Sequence, residues 1–248
     1  MMREERDVLR GRGRTAVSRL TRRLLGLALV PVAATGCSLG RSSPPLQQFV
    51  LGGGARVESS APTNPEGLVI GVRRLDIAPY LATPAIAVRR GSRILHSEFH
   101  RWGEDLDEGI NRAVARYLAA AGPIRAVDIA PWPTRSRYDY LVQLHVARFE
   151  GVLPDGAAAG AGEVHLLATW EIIRHEDGTV LVRGVTDFRA PGWKPGDYAG
   201  LVTLLDNGLN ELAGDLVGCM ERIGPAPALA GAGSGPAPRP ADVTPCRP

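Results

Sequence analysis

The sequence predicts a mixed α/β domain: one sheet of six or seven strands, parallel near its first helix and antiparallel later, packed with two amphipathic helices. Three observations predict it. Short Val- and Ile-rich runs recur with period-two alternation. Two longer segments repeat apolar residues every three or four positions. Gly, Pro and Asp-Gly steps mark the boundaries between them. The patterned stretch, residues 67–223, suits a single domain with one core.

Leu68-Val69-Ile70-Gly71-Val72 reads as the first strand. Residues 86–89 and 94–99 flank Arg90-Gly91-Ser92, a turn of hairpin length and composition. Residues 104–121 form a helix with Leu106, Ile110, Ala113, Val114, Tyr117 and Leu118 along one stripe. Acidic Glu104, Asp105, Asp107 and Glu108 sit where the macrodipole favours negative charge, and Gly122-Pro123 stops the helix. A strand over residues 124–129 completes a strand–helix–strand unit with the first strand. Residues 138–149 make a long strand, with Tyr138, Tyr140, Val142, Leu144 and Val146 on one face. In residues 163–173, Val164, Leu166, Ala168, Trp170 and Ile172 face in, while Glu163, His165, Thr169 and Glu171 face out. His175-Glu176-Asp177-Gly178 turns the chain back into a strand over residues 179–188. The last helix, residues 197–222, carries Tyr198, Leu201, Leu205, Leu209, Leu212, Leu216, Cys219 and Ile223 on one stripe. Gly208, Gly214 and Gly218 each weaken it by up to about 1 kcal/mol, so packing must hold it.

The ends read differently. Arg22-Arg23, eleven mostly apolar residues (24–34) and Thr35-Gly36-Cys37 form a charged, an apolar and a small-residue region in the order of a signal peptide. The apolar part is too short for a bilayer, which needs roughly 20 residues. Ala34-Thr35-Gly36-Cys37 looks like a bacterial lipobox, with cleavage between Gly36 and Cys37 and a diacylglycerol on the Cys37 thiol. Residues 1–36 hold eight Arg and three acidic residues, so the net charge of +3 becomes −2 after cleavage. A nucleic-acid partner is thereby disfavoured. Residues 37–66, rich in Ser, Pro and Gly, read as a lipidated flexible tether with a reach of about 30 Å, interrupted by the apolar patch Phe49-Val50-Leu51. Residues 224–248, mostly Pro, Ala and Gly, read as a disordered tail. Export into an oxidising compartment allows a disulfide between Cys219 and Cys246. The other reading is a buried free thiol at Cys219 and a tail cysteine with no reason to dock.

No catalytic constellation emerges. His96, Glu98 and His100 stand at strand spacing on one face, which zinc can use, but a closed site needs a fourth ligand. A solvated strand face explains the same pattern, so no metal is expected. Gly231-Ala232-Gly233-Ser234-Gly235 does not match the nucleophile elbow, and Gly160-Ala161-Gly162-Glu163 lacks the third glycine of a dinucleotide loop. No cofactor is implied. Arg101-Trp102 and Trp193 are left as interface candidates, since exposed Arg and Trp dominate binding hot spots. Trp102 packs beneath the helix start in the alternative reading, while Trp193, between Pro-Gly steps, is expected at the surface.

In order along the chain, several stretches resemble the ABC-type transport auxiliary lipoproteins typified by PqiC. They are the lipobox at Cys37, Leu46-Gln47-Gln48-Phe49-Val50-Leu51, Ile70-Gly71-Val72 and Ile77-Ala78-Pro79-Tyr80-Leu81. Glu98-Phe99-His100-Arg101-Trp102-Gly103-Glu104, Pro131-Trp132-Pro133, Asp139-Tyr140, Arg148-Phe149-Glu150-Gly151 and Gly196-Asp197-Tyr198 follow. Phe49 stands where the family tends to have tyrosines, and Gly103-Glu104-Asp105 where it often has Ala-Glu-Pro. The resemblance implies a non-catalytic periplasmic lipoprotein that tethers an MCE-type lipid transporter at the outer membrane. Its partners would be an MCE-domain protein, outer-membrane lipid and further copies of itself. Ser38 after Cys37 fits outer-membrane sorting under the common enterobacterial rule. The alternative is a lipid carrier holding an acyl chain in a pocket lined by Leu205, Leu209 and Trp170.

Overall fold

The computed structural model describes residues 43–52, 66–133, 137–154, 160–223 and 244–246. The leader, Cys37, much of the expected tether and residues 224–243 of the tail lie outside the described residues. Along the chain run β1 (Gln47–Phe49), β2 (Leu68–Val72), β3 (Asp76–Ile77), a 3-10 turn (Pro79–Leu81), β4 (Ala85–Arg90) and β5 (Arg93–Trp102). Then come α1 (Leu106–Ala119), β6 (Ile124–Ile129), β7 (Tyr140–Leu153), β8 (Gly162–Arg174), β9 (Val180–Trp193), α2 (Tyr198–Ile223) and β10 (Thr244–Pro245). All ten strands belong to one mixed sheet, where six or seven were expected. The additional ones, β1, β3 and β10, are two or three residues long, too short to show any periodicity.

Strand β7 is the spine of the sheet. One edge pairs antiparallel with β8 along nearly its whole length. The other takes three strands in succession, all parallel: β2 at residues 140–142, β3 at 145–146 and β4 at 151–153. The order across the sheet is β1-β5-β4-β7-β8-β9-β10, with β6 joined through β2. The pairing of β2 with β6 is parallel, and α1 lies between them in the chain, as the strand–helix–strand reading requires.

The alternation of β7 carries a correction in its middle. Tyr140, Val142, Leu144 and Val146 point into the core, but a bulge between Val146 and Arg148 advances the phase by one residue. Phe149 and Gly151 therefore face inward, and Glu150 faces the opposite side with Arg148. Tyr138, expected beside Tyr140, precedes the strand and joins Leu141 and Ile173 in a satellite cluster.

Helix α2 lies across β7, β8 and β9, and α1 packs on β6 and against α2. The stripe Leu201, Leu205, Leu209, Leu212 and Leu216 is wholly buried against Leu144, Val146, Leu166 and Ile172. Each such side chain contributes about 2 kcal/mol. At Gly208 the helix comes close to the sheet, since a Cβ there would lie 2.7 Å from Phe188 Cδ1. Its helix-weakening effect is offset by that contact. No described helix is long and apolar enough to cross a membrane.

Candidate functional site

The first element of the domain is the segment that leads back to Cys37. Strand β1 runs parallel to the end of β5, with Gln47 opposite His100, Gln48 opposite Arg101 and Phe49 opposite Trp102. Gly103 N donates to Phe49 O at 2.7 Å, extending the ladder by one bond. Phe49 faces the core, and Leu51 is buried in it. Beyond β1 the chain turns at Gly52, whose positive φ of 70° suits a residue without a Cβ. The Gly52 amide donates to Asp206 Oδ1 at 2.9 Å, and the Arg116 guanidinium donates to Gly52 O. Tyr117 also bonds Asp206, and burial together with that carboxylate pushes its phenol pKa upward. One carboxylate from α2 and one guanidinium from α1 thus clamp this segment onto the helices.

Beside it, His100 stacks on Tyr198 at the start of α2, centroids 3.9 Å apart, and Phe49 approaches the same imidazole at 6.2 Å. Trp102 is buried, its ring 5.8 Å from that of Phe149, and its amide donates to Pro84 O at 2.7 Å. It belongs to the core cluster together with Leu106 and Ile110 of α1, so it is not an exposed interface residue. Trp193 overturns its expectation: it is 2% exposed, not at the surface. The cause is that β9 continues five residues past Phe188, carrying Trp193 over Gly151 and Gly162. A Cβ on either glycine would come within 2.7 Å of the indole. The indole N–H donates to Asp197 O at 2.9 Å, and Asp197 Oδ1 caps α2 by accepting from the Gly200 amide. Of the three interface candidates, Arg101 alone is exposed.

The histidines separate. His96 Nε2 lies 3.1 Å from Tyr80 O, while His100 bonds Ser97 Oγ and turns to Tyr198. An irregularity in the pairing of β4 with β5 places residues 97–100 opposite Ile86 alone, which breaks the alternation that had put both on one face. Among the described residues no group of three His, Cys, Asp or Glu side chains could hold a metal.

His165, expected to face solvent, is 2% exposed. Its strand is flanked on both sides, and neighbouring side chains close over it. Nε2 donates to Asp187 Oδ1 at 2.7 Å, and Nδ1 stands 3.4 Å from Arg148 Nη1. A donor facing Nδ1 fixes the neutral tautomer. Burial lowers the His165 pKa against the opposing pull of Asp187, and Arg189 and Arg148 add to the lowering. Next to it across the ladder, Glu150 is 0% exposed, held by Arg89 and by Tyr80 Oη at 2.6 Å. Burial, then the Glu150 carboxylate, pushes the Tyr80 phenol upward, while the bond to Glu150 raises Arg89. These groups satisfy one another and make a structural network on the helix-free face. Single-sequence patterns gave no sign of it, or of the Arg116–Asp206 clamp.

Leu205 and Leu209, assigned to an acyl pocket in the carrier reading, are wholly buried in the packed core, and Trp170 donates its indole N–H to Thr186 Oγ1 at 3.2 Å. At the far edge, Cys219 and Cys246 are joined as a disulfide with Cα atoms 6.2 Å apart. Strand β10 pairs parallel with β9, so the last described residues of the tail dock, in line with the disulfide reading rather than the undocked-tail one. The Cys246 amide donates to Arg183 O at 3.3 Å.

The fold and its clamped N-terminal strand define a single mixed α/β domain. The model of the ABC-type transport auxiliary lipoprotein component family matches residues 49–217, and the chain belongs to that family. Its fold is similar to that of protein XCC0632 from Xanthomonas campestris (17% identity, 71% of this chain and 90% of that one, TM-score 0.53). An uncharacterised protein is similar to the same degree (15% identity, 73% and 100% covered, TM-score 0.53). A PelC dodecamer from Paraburkholderia phytofirmans is more distantly alike (19% identity, 62% and 94% covered, TM-score 0.37). No curated protein matches the chain. The protein is therefore an auxiliary lipoprotein component of an ABC transport system, a family assignment consistent with a non-catalytic role.

Proposed function

We propose that the protein is the outer-membrane lipoprotein of an MCE-type lipid-transport system, docking the transporter's periplasmic part through its α/β domain. The observation that carries this reading is the lipobox at Cys37 directly ahead of the family domain. Lipid on Cys37 fixes the chain to the membrane; the two or three acyl chains of a bacterial lipoprotein anchor stably where one would not. Ser38 supports sorting to the outer membrane. Arg101 supplies an exposed cation beside the anchored strand. The experiment is affinity purification of the full chain, tagged after Pro248, from detergent-solubilised native membranes. Recovery of an MCE-domain protein with its permease and ATPase is expected; recovery of no MCE-type partner overturns the reading.

A further inference from the structure

Residues between Cys37 and the domain set how far the domain can stand from its lipid. Strand β1 begins at Gln47, ten residues after Cys37. Ten residues span at most about 35 Å when fully extended, and about 17 Å as a flexible coil. That is roughly half the coil reach of a tether running to residue 66. With lipid on Cys37, the edge of the domain that carries β1 would lie within about 35 Å of the leaflet.

That edge has a suitable surface. In the parallel pairing, Phe49 and Trp102 share the inward face, so Gln48 and its partner Arg101 share the outward one. Leu46 and Val50, two residues either side of Gln48, flank it. Leu46 is 51% and Val50 55% exposed, the largest exposures among the large apolar side chains of the domain together with Val185. Gly103 makes room for Val50, since a Cβ there would lie 3.1 Å from Val50 Cγ1. The Arg101 side chain makes no ion pair or hydrogen bond among the described residues. Two aliphatic groups around a guanidinium without a partner among the described residues match the boundary between phosphates and acyl chains.

We propose that Leu46, Gln48, Val50 and Arg101 form a membrane-contact face. The aliphatic side chains enter the headgroup–acyl boundary of the leaflet that holds the Cys37 lipid, and Arg101 pairs with lipid phosphate. So small a patch would bind a membrane weakly by itself. On a ten-residue linker the second contact becomes intramolecular, at an effective concentration in the millimolar range. The proposal rests on acylation of Cys37, the anchor of the function proposed above.

The test uses the acylated full chain purified from membranes, with Gln48→Cys carrying an environment-sensitive fluorophore. Acylation blocks Cys37, and the disulfide occupies the other two cysteines, so the introduced thiol labels alone. Glu176→Cys, in the exposed β8–β9 turn, is the control. In vesicles of phosphatidylethanolamine and phosphatidylglycerol containing doxyl-labelled lipid, position 48 should show blue-shifted emission and at least about twofold more quenching than position 176. Adding Leu46→Ser, Val50→Ser and Arg101→Ser should abolish the difference while the chain stays on the vesicles. Equal quenching at 48 and 176, or a difference that survives the three substitutions, overturns the proposal. Mass spectrometry of the N-terminal peptide separates the two readings. Unmodified Cys37 removes the anchor itself, whereas modified Cys37 with a water-exposed position 48 removes only the contact face.

Discussion

Glu150 is the residue with most at stake in the domain. Its carboxylate has no exposure, and Arg89 and Tyr80 are its only neutralising partners among the described residues. Removing one member of a buried pair leaves the other charge uncompensated, which costs about 3 kcal/mol or more. Glu150→Ala should lose at least that much in urea unfolding at neutral pH; a loss under about 1 kcal/mol would show the pair to be dispensable. His165, beside it, couples the same region to pH. Its folded pKa lies below the ordinary value because burial disfavours the imidazolium. The unfolded chain therefore binds the proton more readily, and stability rises with pH across the interval. The contribution is complete above about pH 6.5 and is lost as pH falls through the lower folded value. Urea midpoints measured from about pH 7.5 to 5 should decline, and His165→Gln should decline less over the same range. Neither residue was legible beforehand. Alternation assigns a strand residue to a face but says nothing of whether neighbouring strands bury that face.

Among the elements, those with long patterns were readable and those without were not. The hairpin of β4 and β5, helix α1, strand β6 and helix α2 lie within a few residues of their expected bounds, because turn and helix-stopping residues such as Arg90-Gly91-Ser92 and Gly122-Pro123 separate them. Strand β9 outran its expected end at Phe188 because Pro191 and Gly192 read as loop residues, yet Pro191 and Trp193 pair with Glu163 and Gly162 of β8, with Gly192 bulged between them at a φ of 94°. Pro191 has no amide N–H to donate, but the packing of Trp193 over Gly151 and Gly162 holds this stretch in place. The bulge in β7 left no mark in sequence beyond the arrival of Phe149 at an odd position. The covalent staple from α2 to β10 closes a 27-residue separation. Constraining a loop of that size in the unfolded chain is worth about 3.5 kcal/mol in the chain-entropy model. Reductant should therefore lower the unfolding free energy of the intact chain by about 2–4 kcal/mol, and should leave a Cys219→Ser, Cys246→Ser double variant unaffected. Equal stability of the native chain with and without reductant would count against the staple.

At the scale of the molecule, collinear motifs and alternating patterns made the family and the α/β class legible, while the way the chain ends meet the domain was hidden. Residues 46–51 look like part of a tether because three-residue edge strands have no period. Only the pairing with β5 and the clamp from both helices reveal them as domain. Replacing Cys37 by Ser should release the chain from membrane to soluble fractions of the envelope; retention with membranes would mean that something other than lipid holds it. One more consequence follows from α2. The helix begins beside His100, on the strand that pairs with β1, and its Cys219 holds Cys246. It is a ruler between them: the twenty-one residue-to-residue rises from Tyr198 to Cys219, at about 1.5 Å each, measure about 32 Å. A reporter fused after Cys246 therefore starts one helix length from the edge that carries β1, a calibrated separation for energy-transfer measurements that test the membrane orientation proposed above.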